Sequence, residues 1–397
     1  MKQELIDQFK HEVEQELHRI MDFWLSRMPD QHHGGFLGEL DFFGKPVPDA
    51  PKGIILNTRI LWTFSTVAQQ SQKHEHIEMA KRAYQYLLNH FLDREFGGVV
   101  WTVDYQGKTQ NSRKQIYAQA FFIYALSAYY QLTKEQQALD FAISLFDLLE
   151  EKATDPIHSG YLDAFDQKWN ELDDMRLSEK DLNEKKTLNT HLHLLEAYSS
   201  FAQVYPCIKV KQALNKLLQL FKEKFIRADF HLNMFFDEHW NIKSQLISYG
   251  HDIETAWLLF EAAEQIASRT KLKEIGELAI QMTKTFVAEG ITTDAGVLNE
   301  FDRTTGHLDP DYHWWPQIEG IVGLINAWQL SEDEQFLNQA LKIWEFIKNN
   351  LLDFEHGEWH WSVNQDLKPD QSQVKAGLWK CPYHNGRGCM EILKRLQ

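Results

Sequence analysis

A chain of 397 residues with 43% hydrophobic and 13% aromatic side chains can bury a large core, as one barrel or as two average domains. Its formal net charge of −16, from 41 basic and 57 acidic residues, repels a phosphate backbone and an anionic membrane surface, and no basic run offsets it. Nucleic acid and membrane are therefore not expected as partners.

Residues 3–28 are charged and amphipathic, lack the apolar core of a signal peptide, and predict a surface helix. Near Gly35 follows GGFLGELDFFGK, the first copy of a Gly-plus-aromatic element. Further copies are GGVVWTVDYQGK near Gly98, SGYLDAFDQKWN near Gly160, NMFFDEHWNIKS near Asn233, AGVLNEFDRTTG near Gly296 and HGEWHWSVNQDL near Gly357. The spacings are 63, 62, 73, 63 and 61 residues, a near-constant period that marks an internal repeat. Alternating apolar residues followed by Gly, Asn or Asp predict a short β-hairpin in each copy.

Two helical stretches separate successive hairpins. Amphipathic ones at 73–93, 134–152, 208–226, 271–288 and 333–351 join 3–28 as an exposed set. The others, at 55–69, 113–131, 187–202, 249–267, 312–329 and 382–396, are apolar almost all round, as buried helices are. Six exposed and six buried helices in alternation predict an all-α fold, an (α/α)6 barrel forming one catalytic domain over 1–397. Closing the array buries every inner face without capping repeats. The hairpins then gather at the N-terminal ends of the inner helices, where free N–H groups and the positive dipole end lie. The longest interval carries a polar insertion, 166–186, which reads either as a solvated loop or as a flap over the barrel mouth. Cys207, Cys381 and Cys389 form neither a metal-type spacing nor a disulfide framework, which suits a reducing, cytoplasmic setting. No run of about 18 apolar residues is present to span a bilayer.

The first turns of the buried helices carry polar residues that a buried helix does not tolerate without a use. They read NTRILW (57–62), QIYAQAFF (115–122), NTHLHLLEAY (189–198), GHDIETAW (250–257), HWWPQIEG (313–320) and PYHNGRGC (382–389). The mouth thus collects Arg59, Tyr117, Asn189, His193, His251, Glu254, Trp315, Glu319, Trp379 and His384. His191 and His193 are about 200° apart on a helix and cannot share a face. His193, in line with Asn189 and roughly with Glu196, is expected inward. No HExxH or CxxC occurs, and no metal is expected. Histidine titrates near neutrality and can both take and give a proton, so two imidazoles across one carbon can invert a stereocentre. An arginine beside them can hold the oxyanion formed between the two steps. Glu254 and Glu319 could instead form the carboxyl pair of a glycosidase.

Residues 34–65, 178–198, 250–259 (GHDIETAWLL), 314–320 (WWPQIEG) and 379–392 (WKCPYHNGRGCMEI) resemble the N-acylglucosamine 2-epimerase superfamily, and within it the cellobiose 2-epimerase branch. The resemblance spans nearly the whole chain. It implies a cofactor-free (α/α)6 barrel that epimerises the reducing-end glucose of a β-1,4-linked disaccharide at C2, through ring opening and a cis-enediol(ate). By motif, His251 and His384 would form the acid/base pair, His193 would assist ring opening or polarise O1, and Arg59 would stabilise the enediolate. Tyr117, Asn189, Glu254 and Glu319 would hold hydroxyls, Trp315 and Trp379 would stack on sugar rings, and Ser178 and Asp181 would reach substrate from the long loop. The expected partner is a small sugar, bound by a monomer or weak dimer. Mannose 2-epimerases and aldose–ketose isomerases share the core motifs and remain alternatives, as do a glycoside hydrolase and a protein-binding member of the superfamily.

Overall fold

Twelve α-helices alternate between an outer and an inner ring in the computed structural model, which describes residues 2–397. The outer helices are α1 (Lys2–Arg27), α3 (His74–Tyr86), α5 (Gln136–Lys152), α7 (Ile208–Leu220), α9 (Arg269–Thr285) and α11 (Glu334–Asn350). The inner ones are α2 (Ile54–Ser71), α4 (Ile116–Thr133), α6 (Leu188–Val204), α8 (Tyr249–Ile266), α10 (Trp314–Ser331) and α12 (His384–Arg395). Composition explains the division. α4, apolar on every side, buries an unbroken run from Ile116 to Tyr129, whereas α5 buries only one stripe including Ala138, Ala142, Leu145 and Leu149.

Each inner helix packs on the next, and α12 packs on α2, so the inner ring closes. The outer ring closes with it, because α1, the first outer helix, meets α11, the last, where Trp344 and Lys348 both donate to Glu12; α1 also packs on α12. The expected barrel is the observed one. No helix among the described residues is long and apolar enough to cross a membrane.

The hairpins are smaller than the sequence pattern suggests. Most shrink to isolated bridges, such as Leu40 to Pro46 and Phe236 to Ile242. Their strand hydrogen bonds run instead between repeats: Lys52–Gly53, just before α2, pairs with Thr102–Val103 of the second repeat. The same link recurs before α4, α6, α8 and α10, and a bridge from Leu40 to Ala376 joins the last repeat to the first. The backbone groups that a longer hairpin would satisfy are satisfied by the neighbouring repeat.

Buried ion pairs lock this rim. Asp30, Asp93, Asp155 and Asp353 follow outer helices, and each accepts two backbone N–H groups of its own turn at one carboxylate oxygen. The other oxygen pairs at 2.7 Å with Lys52, Lys114, Lys186 and Lys375, respectively. In the fourth and fifth repeats both partners change together: Arg227 and Thr292 stand in the turns, with Ile247 and Tyr312 opposite.

Candidate active site

One register governs what the inner helices present. The second and sixth residues lie one helical turn apart and share a face. Tyr117, Asn189 and Trp315 are second residues of α4, α6 and α10; Arg59, His193 and Glu254 are sixth residues of α2, α6 and α8. All six line one cavity of about 420 Å³ at the barrel mouth. The fourth residue points the other way, to the hairpins. Gln119 and Gln317 hold the backbone of Val99 and Val297, Asp252 accepts the Leu232 N–H, and His191 Nε2 accepts the Tyr161 N–H at 3.0 Å. His191 therefore carries its proton on Nδ1, which donates to the Thr187 carbonyl, and burial pushes it down to about 4. His193 is the inward histidine of the pair.

Behind the cavity lies a buried cluster of charge. The Arg387 guanidinium donates to Glu196, Glu254 and Glu319 and to the Tyr383 hydroxyl. It also lies over the rings of Trp257 and Tyr383. Burial opposes ionisation of Glu196, but Arg387, His193 and Tyr383 together bring it down to about 2. Burial prevails at Glu319 and pushes it up against the pull of Arg387.

The histidines are set on this cluster. His193 Nδ1 donates to the ionised Glu196 at 3.0 Å, and His384 Nδ1 lies 2.8 Å from Glu319. His251, half-buried, has its Nδ1 2.8 Å from the Ser248 hydroxyl. Among the described residues the Nε2 atoms of all three have no protein partner. Burial lowers all three imidazoles, His251 to about 4. Arg59 is a buried cation with no carboxylate partner among the described residues; it donates to the Tyr117 hydroxyl at 2.7 Å and packs between Phe121 and Tyr383. Its Nε and the side-chain oxygen of Asn189 have no hydrogen-bond partner among the described residues.

Trp315 and Trp379 both line the cavity, and the Trp315 ring centroid lies 4.9 Å from His251 and 5.4 Å from His384. The 166–186 insertion enters the cavity wall with Leu177 to Asp181, and Asp181 accepts both the backbone N–H and the hydroxyl of Ser178. Trp361, Trp314 and His313 complete the wall, although the sequence pattern does not single them out. Nor does it single out Arg387. An arginine within the buried stretch PYHNGRGC is itself a signal, because a fully buried guanidinium requires several acceptors.

Glu319 departs from its expected role. It is fully buried, does not line the cavity, and spends its oxygens on His384, Arg387 and Trp257, so it supports His384 where a contact to a sugar hydroxyl was expected. This also removes the carboxyl pair required for hydrolysis. Glu254 and Glu319 share one nitrogen of Arg387 and cannot flank a glycosidic bond. Donor atoms of Glu254, Glu319 and His384 lie within 4.8 Å of one another, close enough to hold a metal ion, but Arg387 already supplies the positive charge there.

Residues 35–386 match the family model of N-acylglucosamine 2-epimerase. The cellobiose 2-epimerase of Bacteroides fragilis is 45% identical over 97% of this chain and 98% of its own. The solved cellobiose 2-epimerase of Bacillus thermoamylovorans superposes with a TM-score of 0.94 at 36% identity, covering 98% of this chain and 100% of that one. A solved D-mannose isomerase, 22% identical, shares the fold with a TM-score of 0.85 over 96% of this chain and 97% of its own. The chain belongs to the N-acylglucosamine 2-epimerase family. It is an isomerase, a sugar epimerase similar to the cellobiose 2-epimerases.

Proposed function

We propose that the protein inverts C2 of the reducing-end glucose of β-1,4-linked disaccharides such as cellobiose and lactose. The observation that carries this reading is the pair His251 and His384. Each has Nδ1 engaged and, among the described residues, no protein partner for Nε2; both stand beside the Trp315 indole, and Arg59 lies buried in the same cavity wall with no carboxylate partner among those residues. After ring opening, with His193 Nε2 assisting at O1 or the ring oxygen, one imidazole removes the C2 proton. The electron pair moves onto O1, where Arg59 stabilises the enediolate. The other imidazole then returns a proton to the opposite face of C2, and the pair carries one shared proton into each turnover. Tyr117, Asn189 and Glu254 hold hydroxyls of the reacting sugar. Trp315 and Trp379 offer ring faces for stacking, and Ser178 and Asp181 reach the sugar beyond the reducing end.

The disaccharide preference is supported by the likeness to cellobiose 2-epimerases and by the loop residues 177–181 in the cavity wall. We read the enzyme as working without a cofactor, as a monomer or weak dimer, and its three free cysteines suit a reducing, cytoplasmic setting. Separate incubation with cellobiose, lactose, glucose and mannose, resolving epimers, ketoses and cleavage products, tests the reading. The C2 epimers of the two disaccharides are expected. Turnover of monosaccharides alone would move the assignment to a mannose-type enzyme, and cleavage of cellobiose to glucose would overturn epimerisation.

A further inference from the structure

The second residue of an inner helix lines the cavity in α4, α6 and α10, but in α8 that residue is Gly250. The space its side chain would take is filled from the next repeat. A Cβ on Gly250 would lie 2.3 Å from Cη2 of Trp315 and 2.5 Å from Cζ3, far inside van der Waals contact. The backbone there is helical and right-handed, so glycine is not needed for conformation, and alanine would be the better helix former. What glycine provides is close approach of the indole to the first turn of α8.

That indole reaches both histidines, at 4.9 Å from His251 and 5.4 Å from His384. His384 has a buried carboxylate to orient it, whereas the His251 ring has one hydrogen bond among the described residues, to the Ser248 hydroxyl. A ring held by one hydrogen bond can swing about it unless a neighbour blocks the motion. The Trp315 edge is that neighbour.

We infer that Gly250 is a positioning residue: it seats Trp315 on α8, and the seated indole fixes His251 relative to His384. The inference rests on the reading of these imidazoles as the C2 acid/base pair. Gly250→Ala should lower kcat on cellobiose about ten- to hundred-fold, the scale of a misplacement near 1 Å, without lowering Tm. A smaller ring leaves room for the methyl group, so in a Trp315→Phe background the same substitution should change kcat by less than about twofold. Equal losses in both backgrounds, or a loss matched by a fall in Tm, would overturn the inference. Tryptophan emission gives a readout independent of turnover. The contribution of Trp315 is the difference between a chain that keeps this indole and the same chain carrying Trp315→Phe, and Gly250→Ala should shift it. An unshifted signal would overturn the seat itself. A shifted signal in a protein that forms no C2 epimer would leave the seat standing and remove the proposed reaction instead.

Discussion

The rim and the floor of the barrel mouth both bury charge, and they do so differently. At the rim, Lys52, Lys114, Lys186 and Lys375 each meet one aspartate at 2.7 Å, and each pair is neutral and capped by turn N–H groups. At the floor, one guanidinium, Arg387, serves three carboxylates, and two of those carboxylates also carry histidines. A balanced pair has nothing left to offer a ligand, whereas an unbalanced set holds imidazoles in chosen orientations with Nε2 free. The balanced pairs are suited to stability and the unbalanced cluster to chemistry.

The sharpest test of the contrast is Arg387→Leu. It strands three buried carboxylates, so the loss should exceed the roughly 3–5 kcal/mol of a single broken buried pair, and little folded protein should be recovered. Recovery of a stable enzyme, judged by denaturant unfolding, would put the floor in the same class as the rim.

Next in size are His251→Asn and His384→Asn. Each should lower kcat by about 10²–10⁴ while circular dichroism and Tm stay near the parent values. Turnover of the parent in D2O should place deuterium at C2 of the product, as expected if solvent-exchanging imidazoles carry the proton. Near-normal turnover of either variant would remove that histidine from the mechanism.

Lys186→Met should show the opposite pattern. It should lose about 3 kcal/mol of stability and leave kcat of the folded enzyme unchanged. Burial alone would raise Asp155, but Lys186 and the turn N–H groups bring it down to about 2. A carboxylate depressed on folding contributes stability above its unfolded pKa of about 3.8, and that contribution fades as pH falls through the folded value. The difference between parent and variant should therefore be full at neutral pH and narrow between about pH 4 and 2. Urea titrations across that range would show it.

The smallest effect is expected at the loop. Asp181→Ala should reduce kcat/KM for cellobiose about ten- to hundred-fold more than for mannose, if the carboxylate bonds a hydroxyl beyond the reacting ring. Equal effects on the two sugars would make residues 177–181 part of the wall and nothing more.

Much of this arrangement is legible in the chain itself. The 61–73-residue period, the alternation of amphipathic and all-apolar helices, and helix ends close to those observed follow from local patterning, which each helix expresses by itself. The inward turn of His193 and outward turn of His191 follow from 100° per residue on one helix. Tertiary structure decided what different helices place against one another. Glu319 belongs to a first-turn motif of an inner helix, but ring closure sets it behind His384, out of reach of a sugar. Arg387 stands in a motif with no charged neighbour, and its three carboxylates come from α6, α8 and α10, between 68 and 191 residues away. Rotation about one helix axis is written in sequence spacing. The depth at which six helices meet is set by the packing of side chains between them, and only the closed ring determines it.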